Sequence, residues 1–234
     1  QRLSSGLRVN SAKDDAAGLA IAERMNSQVR GMNVAIRNAN DGISLAQTAD
    51  GGLASMADMV QRMRELSVQA VNSTNTSSDI AALNEEYTQL RSELVRTLGA
   101  VQFNGNSLYT STANFDFQVG ANSGQTITIA ASAMAINSAT NIIAITTGAV
   151  GSALTTSANS ANAANIDLLD KALSTINTTR ATLGAVQSRF ETTISFLKSA
   201  SENQAAARGR IMDADFAAET SNLSRAQILQ QAGT

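Results

Sequence analysis

Between residues 16 and 71 apolar side chains return at steps of three and four. The run is Ala22, Met25, Val29, Met32, Ile36, Ala39, Ile43, Ala46, Asp50, Leu53, Met56, Val60 and Met63, with Asp50 its one polar member. This is the heptad period, and it predicts one long helix with a narrow apolar seam along one side. A straight helix of this length would reach roughly 80 Å at about 1.5 Å per residue. Such a stripe persists in water only if other helices cover it. Five glycines, Gly18, Gly31, Gly42, Gly51 and Gly52, lie inside it, each costing about 1 kcal/mol relative to Ala. The rhythm continues across Gly51-Gly52, so no break is expected there, although the step from Leu53 to Met56 is one short. Asp50 reads as a register device, because a polar seam residue trades stability for specificity.

The flanking patterns extend this picture. Residues 1–15 are a polar lead-in with a short Leu3/Leu7 repeat. Ser11, Asp14 and Asp15 stand where the long helix should start and read as caps. Residues 72–78 form a polar connector. A second helix is expected over 79–98, with Ile80, Leu83, Tyr87, Leu90, Leu94 and Leu98 on one side and Gly99 as its stop. The short connector folds it back antiparallel on the first. The period then changes. Asn104-Gly105 reads as a turn, Phe115, Phe117 and Val119 alternate with polar residues, and so do Ile127 and Ile129. This is a hairpin with a Gly-bounded loop. A further strand is expected over 142–146. Helical rhythm returns at Ile166 and weakens toward Gln204 and Ile211. Arg208-Gly209-Arg210 reads as an irregularity, and an amphipathic piece covers residues 216–231.

The chain therefore leaves on a helix, makes a β excursion and returns on a helix. Laying the last helix along the first, with the second beside them, gives a mainly α fold. The expected architecture is an elongated antiparallel coiled-coil helical rod built from both chain ends, with a smaller β-rich outer domain inserted between them. Residues 1–105 and 165–234 supply the two halves of the rod, and residues 106–164 the hairpin and outer domain. The seam is expected to join Met25, Val29, Met32, Ile36, Ile43, Leu53 and Val60 to Leu169, Leu173, Ile176, Leu183, Phe190, Ile194 and Leu197.

Composition narrows the function. The 234 residues are 43% hydrophobic but only 3% aromatic, so the core consists of thin seams rather than one bulky centre. There is no Pro, which permits unbroken helices. There is no Cys or His, which removes disulfides, thiolate metal sites and the usual general base. A net charge of -2 with interspersed signs points to neither nucleic acid nor an anionic membrane, and no apolar run suits a membrane span. From Asn106 to Ile166 the only charged residue is Asp116. Ser195-Phe-Leu-Lys198 matches a Ser-x-x-Lys pattern, but its companion motifs are missing and it lies in a helical seam. Asp213-x-Asp215 and Glu85-Glu86 read as solvated charges. No cofactor is expected, and the chain does not read as an enzyme. It opens at Gln1, in mid-pattern, and reads as a fragment.

The stretch Leu3-Ser-Ser-Gly-Leu-Arg-Val-Asn-Ser-Ala-Lys-Asp-Asp-Ala-Ala-Gly-Leu-Ala-Ile21 resembles the signature of bacterial flagellins. So do Arg37-Asn-Ala-Asn-Asp-Gly-Ile-Ser44, Arg64-Glu-Leu66, Gln102-Phe-Asn-Gly105, Gln118-Val-Gly-Ala-Asn122 and Ser224-Arg-Ala-Gln-Ile-Leu-Gln-Gln-Ala-Gly233. The resemblance covers residues 1 to about 130 and 165–234. It implies α-helical inner domains from both chain ends and a variable outer domain. It implies a structural subunit, exported unfolded, that self-assembles with other flagellin subunits into the helical filament for swimming, outside the cell. An export chaperone and cap proteins are implied as partners. The resemblance also implies further helical segments at both ends, absent here, so the fragment is expected to be soluble and not to polymerise.

Exposed charges such as Arg24, Arg30, Arg37, Asp41 and Asp58 are candidates for setting lateral register. In flagellins of this type a host Toll-like receptor reads the helical domain. Arg62, Leu66 and Glu86 match the contacting positions, with Arg62 and Glu86 as charged hydrogen-bonding groups and Leu66 as an apolar anchor. The alternative is a flagellin-like cell-surface protein whose Asn/Thr/Ser-rich outer region binds an extracellular polysaccharide. Only Tyr109, Phe115 and Phe117 offer stacking aromatics near it.

Overall fold

The computed structural model describes residues 2–134, 136, 153–155 and 159–233. It is mainly helical, with a small strand region between the helices of the two chain ends. In order the elements are α1 (Arg2–Ser5), α2 (Ala16–Ala70), α3 (Ser77–Ala100), β1 (Gln102–Phe103), β2 (Asn106–Ser107), β3 (Phe115–Gln118), β4 (Thr126–Ile129), α4 (Ala131–Met134), α5 (Asn159–Met212) and α6 (Phe216–Ala232). The strand expected over 142–146 lies outside the described residues. The described chain divides into two compact units.

The long helix α2 starts and stops as its pattern requires. Asp15 Oδ1 accepts the Gly18 N–H at 2.7 Å, satisfying a donor left orphaned at the helix start. Asp14 Oδ2 instead ties the lead-in, accepting from Ser11 N at 2.9 Å. Gly51 and Gly52 do not interrupt the helix.

The seam, however, runs one position over from the expected line through part of α2. Its buried positions are Met32, Ala35, Ala39, Gly42, Ala46, Ala49, Leu53, Met56, Val60, Met63, Ser67 and Ala70, which alternate steps of three and four throughout. Ile36, Ile43 and Asp50, expected in this line, are half-buried beside it.

One unit comprises Gln1–Ala39, Gln118–Thr126 and Thr192–Thr234. Here α2 and α5 run antiparallel. Met32, Ala35 and Leu197 form one cluster, with Val29, Ile36 and Ala200 against it. Val9, Ala22 and Met212 form another, with Leu7, Leu19 and Ile211. The far end of α5 is clasped by the lead-in. Arg8 N donates to Met212 O at 2.6 Å, and Ala214 N donates to Gly6 O at 2.9 Å. Arg8 Nη2 donates to Ile211 O at 2.8 Å. A cation at a helix C-terminus also suits the helix dipole. This anchoring explains why the Arg208-Gly209-Arg210 irregularity does not occur: α5 stays helical to Met212. Asp215 then caps α6, accepting Ala217 N at 2.9 Å and Ala218 N at 3.2 Å. No residue of α6 is buried, and the apolar residues expected to form one side of it, Phe216, Leu223, Ile228 and Leu229, are exposed.

The other unit comprises Asn40–Phe117 and the described residues of Ile127–Glu191. Here α3 and α5 both run antiparallel to α2, as the Arg62–Glu86, Arg64–Asp170 and Asp50–Arg180 pairs show. Thr76 begins α3 with a capping box: its hydroxyl accepts Asp79 N at 3.3 Å, and Asp79 Oδ2 accepts Thr76 N at 2.8 Å. This helix passes the expected stop at Gly99 and ends at Ala100. Ile80, Tyr87, Leu94 and Leu98 are its buried residues, four of the six expected on that side. Strands β1 and β2 pair Gln102 with Ser107 and Phe103 with Asn106 across the Asn104-Gly105 turn. Both turn residues have positive φ, 50° and 80°, as a two-residue type I′ hairpin requires. Strands β3 and β4 form the second two-stranded sheet.

The return helix α5 begins at Asn159, ahead of Ile166 where its rhythm was expected. Two buried asparagines account for the extra turns. Asn162 bonds both backbone groups of Thr155, at 2.9 and 3.0 Å. Asn165 Nδ2 donates to Ala153 O at 3.2 Å. Amides thus hold seam positions that an apolar count passes over, and they are tolerated because they are satisfied.

Candidate interaction surfaces

The seam residues come together within each unit as follows. Met32, Leu53, Val60, Leu169, Ile176, Leu183, Phe190, Ile194 and Leu197 are buried. Met25, Val29, Ile36, Ile43 and Leu173 are half-buried. Two close approaches, missed in the sequence, fix how the seam is filled. Phe190 lies over Gly42, where an added Cβ would stand 2.5 Å from its Cζ. The same ring meets Phe117 edge-on, with centroids 5.5 Å apart at 89°. Tyr109 lies over Gly52, where a Cβ would fall on its hydroxyl. That hydroxyl donates to Ala49 O at 2.5 Å. Burial, reinforced by the Asp50 charge, holds the Tyr109 phenol well above its ordinary range. The only available signal for these contacts was the presence of glycines inside a helix.

Charge lies outside the seam. Asp50 Oδ1 accepts from Arg180 Nε at 2.8 Å, so the polar residue expected in the seam is instead paired beside it, across α2 and α5. One helical stretch on, Arg64 Nε donates to Asp170 Oδ1 at 2.5 Å. On the α2–α3 side Arg62 donates from Nε to Glu86 Oε1 at 2.7 Å and from Nη1 to Glu65 Oε2 at 2.9 Å. Both Arg62 and Glu86 keep nearly half their side-chain surface exposed, 47% and 46%. The hydrogen bond from Arg62 holds the Glu86 carboxyl below the usual carboxylate range, and Arg62 is raised in turn. Exposed pairs of this kind contribute little to stability.

Leu66 behaves differently from the other two residues of the expected receptor patch. It is 0% exposed. A side chain with no accessible surface cannot anchor a partner in this conformation, so the apolar-anchor role expected for Leu66 does not fit its burial. Arg24, Arg30, Arg37, Asp41 and Asp58 are all exposed.

The chemistry available is that of surfaces. Among the described residues no group of three His, Cys, Asp or Glu could hold a metal ion. Ser195 and Lys198 are both solvent-exposed on α5. Asp215 serves the start of α6. No described helix is long and apolar enough to cross a membrane.

Comparison with known proteins bears on these surfaces. A family model of the bacterial flagellin N-terminal helical region matches residues 1–114, and one of the bacterial flagellin C-terminal helical region matches residues 166–234. A flagellin of Halalkalibacterium halodurans is 45% identical over 99% of this chain and 83% of its own length. A flagellin of Bacillus subtilis is 39% identical over 99% of this chain and 84% of its own. The crystal structure of Bacillus cereus flagellin aligns with a TM-score of 0.59 at 34% identity, covering 74% of this chain and 94% of that one.

Proposed function

The chain belongs to the bacterial flagellin family, and from that premise we propose how its helices serve the extracellular flagellar filament. It is a structural subunit of that filament, which assembles from copies of flagellin. The observation that carries the reading is the uninterrupted seam of α2, covered by α3 and α5, together with 45% identity over 99% of the chain. Helices that bury one stripe leave their other faces to neighbours. Repeated head-to-tail contacts that do not close give an open helical polymer. Phe216, Leu223, Ile228 and Leu229 on α6 are exposed large apolar residues, and in this reading neighbouring subunits, or an export chaperone before assembly, cover them. Cap proteins belong to the same reading. So does the absence of catalysis, the family being a structural one. In this reading residues 106–164 supply the outer part and residues 1–105 and 165–234 the helical part, although the start of α5 at Asn159 and the strand Asn106–Ser107 of the first hairpin fall within the former range.

The test is genetic replacement. Cells lacking their own flagellin and expressing a flagellin in which this sequence replaces the matching region, with that flagellin's own terminal segments kept, are expected to make filaments and swim. Cells that export the protein but form no filament would overturn the reading.

The Arg62–Glu86 pair is the surface we assign to a host Toll-like receptor. Its support is the exposure and fixed geometry of the pair. Arg62→Ala and Glu86→Ala are expected to abolish receptor signalling in a reporter assay while leaving the melting curve unchanged. Undiminished signalling in both variants would remove the assignment. No observation favours the polysaccharide alternative.

A further inference from the structure

An asparagine or aspartate followed by glycine occurs three times in the sequence, at Asp41-Gly42, Asp50-Gly51 and Asn104-Gly105. Such a pair carries its own chemistry. The glycine amide nitrogen can attack the preceding side-chain carbonyl carbon, and no Cβ obstructs its approach. The fold treats the three pairs differently. Gly42 and Gly51 lie inside α2, where their N–H groups are committed to the helical ladder. Asp50 is held further by Arg180 at 2.8 Å. Asn104 and Gly105 stand at the tip of the β1–β2 hairpin, and both are exposed. Nothing lies within 4 Å of the position a Cβ would take on Gly105. Among the described residues neither the Asn104 carboxamide nor the Gly105 N–H makes a hydrogen bond. Electrophile and nucleophile are thus adjacent in the chain, uncommitted and open to water.

The turn itself is the lock. A type I′ turn sets ψ near about 30° at its first central residue, the place Asn104 occupies with φ 50°. At that ψ the Asn104 Cβ and the Gly105 nitrogen lie on opposite sides of the Cα–C bond, so a five-membered ring cannot close. Ring closure needs the hairpin tip to open, and little holds it. Two residue pairs do, Gln102–Ser107 and Phe103–Asn106, with one bond beyond them from Leu108 N to Val101 O at 3.2 Å. A lone two-stranded hairpin is marginal in water, and such segments open locally without global unfolding. We propose that Asn104-Gly105 is a self-modifying latch: in the open hairpin it deamidates through a cyclic imide, and its β-linked product prevents β1 and β2 from closing again. The bond from Gly105 N to Asn104 Cγ forms as the Cγ–Nδ2 bond breaks. The proton of the Gly105 nitrogen completes the departing ammonia. Water then opens the imide. Addition at Cγ breaks the new bond and restores the chain with aspartate at position 104. Addition at the backbone carbonyl carbon breaks the original peptide bond instead. The chain is then joined through Cγ, one carbon longer, as isoaspartate. Nothing is oxidised or reduced, and water is the only co-reactant. The extra backbone atom removes the two-residue turn that fixes the register of β1 and β2. Tyr109 follows closely after β2, and its hydroxyl donates to Ala49 O in the seam. Loss of the hairpin therefore loosens a seam contact. The reaction needs no second copy and is independent of the filament reading.

The experiment ages the purified protein in native, mildly alkaline buffer made with heavy-oxygen water. Its peptides are then mapped by mass spectrometry with electron-transfer fragmentation, which separates isoaspartate from aspartate. Position 104 is expected to convert before any other asparagine, to both products, each carrying a heavy oxygen atom. The aged sample is expected to melt below the fresh one. Asn104→Gly removes the carboxamide and leaves Gly-Gly, which also suits a type I′ turn. Its melting temperature should hold constant through the same incubation. Conversion at position 104 no faster than at other asparagines, conversion only in denaturant, or conversion to aspartate alone would each overturn the proposal. So would an aged parent that melts as the fresh one does, or a fall in melting temperature shared equally by Asn104→Gly.

Discussion

Replacing Gly42 by Ala separates the two possible registers of α2. In the middle of an exposed helix face Gly→Ala stabilises by about 1 kcal/mol through backbone entropy. Gly42 is buried in the seam, and the added Cβ would lie 2.5 Å from Phe190 Cζ and 2.9 Å from both its Cε atoms. The ring has little room to retreat. Phe190 is 0% exposed, and Phe117 stands edge-on 5.5 Å away. Overpacking of this sort costs about 1–3 kcal/mol, which outweighs the propensity gain. For a chain of this size about 1 kcal/mol corresponds to roughly 2–4 °C in Tm. Gly42→Ala is therefore expected to lower Tm by a few degrees. Gly51→Ala is the internal control. That position is exposed on the same helix, and nothing lies within 4 Å of an added Cβ. It should raise Tm by roughly 2–4 °C. Circular-dichroism melts of the two variants should move in opposite directions. A Phe190→Leu change should recover part of the Gly42→Ala loss, a coupling of at least about 0.5 kcal/mol between touching residues. If Gly42→Ala stabilises as much as Gly51→Ala, Gly42 does not face the ring, and the register with Ile43 in the seam is correct instead.

Two further tests address the α2–α3 packing. Tyr87 is 0% exposed, and burial pushes its hydroxyl up to about 12 from an ordinary 10.0. The unfolded chain ionises first, so this contribution is complete below pH 10 and is lost as pH rises from 10 through about 12; thermal melts across that window should show a fall that Tyr87→Phe reduces. Thr76→Ala removes the hydroxyl that caps α3, and a loss of about 1 kcal/mol is expected in denaturant titrations, with an unchanged midpoint counting against the cap.

The helices themselves were legible because their bounds are set by local signals. The asparagine- and serine-rich connector after Val71, the Asp15 cap and the Asn104-Gly105 turn each act within a few residues. The seam was legible only in part. Bulky side chains mark a stripe clearly, and Ile36 and Ile43 drew the line one position from Ala35 and Gly42. The sequence carried a warning in the short step from Leu53 to Met56. With Ala49 in place of Asp50 that step disappears, and the consecutive short steps fall at Met32, between Val29 and Ala35. The small residues belong in the seam because distant aromatics fill the space above them: Phe190 over Gly42, Tyr109 over Ala49 and Gly52. Such partners come from far along the chain and leave no periodic trace. Buried Asn162 and Asn165 escaped for another reason: their backbone partners, Thr155 and Ala153, lie nearby in sequence, but an amide does not register in a count of apolar positions. Leu66 is the opposite case. Its step of three from Met63 already pointed inward, and the family motif drew attention away from that geometry.

These placements separate what folds the subunit from what joins subunits. A buried seam of Ala, Gly and a few large side chains is sensitive to volume, since each added or removed methyl group changes the fit between helices. The exposed features are insensitive in the same sense. Arg62, Glu86 and Arg64 form solvent-facing pairs, and Phe196 and the apolar residues of α6 make few demands on the fold of their own chain. Apolar surface of this size is costly to leave in water, at about 25 cal/mol per Å², and monomeric proteins keep such patches small. In the filament reading, a chain that exposes Phe196, Leu223, Ile228 and Leu229 while burying seam alanines completely has its apolar surface distributed for two successive events. The first brings the helices together within each unit, and the second brings copies together. Substitutions in the first set should therefore appear in monomer melts, whereas those in the second should appear only when copies meet.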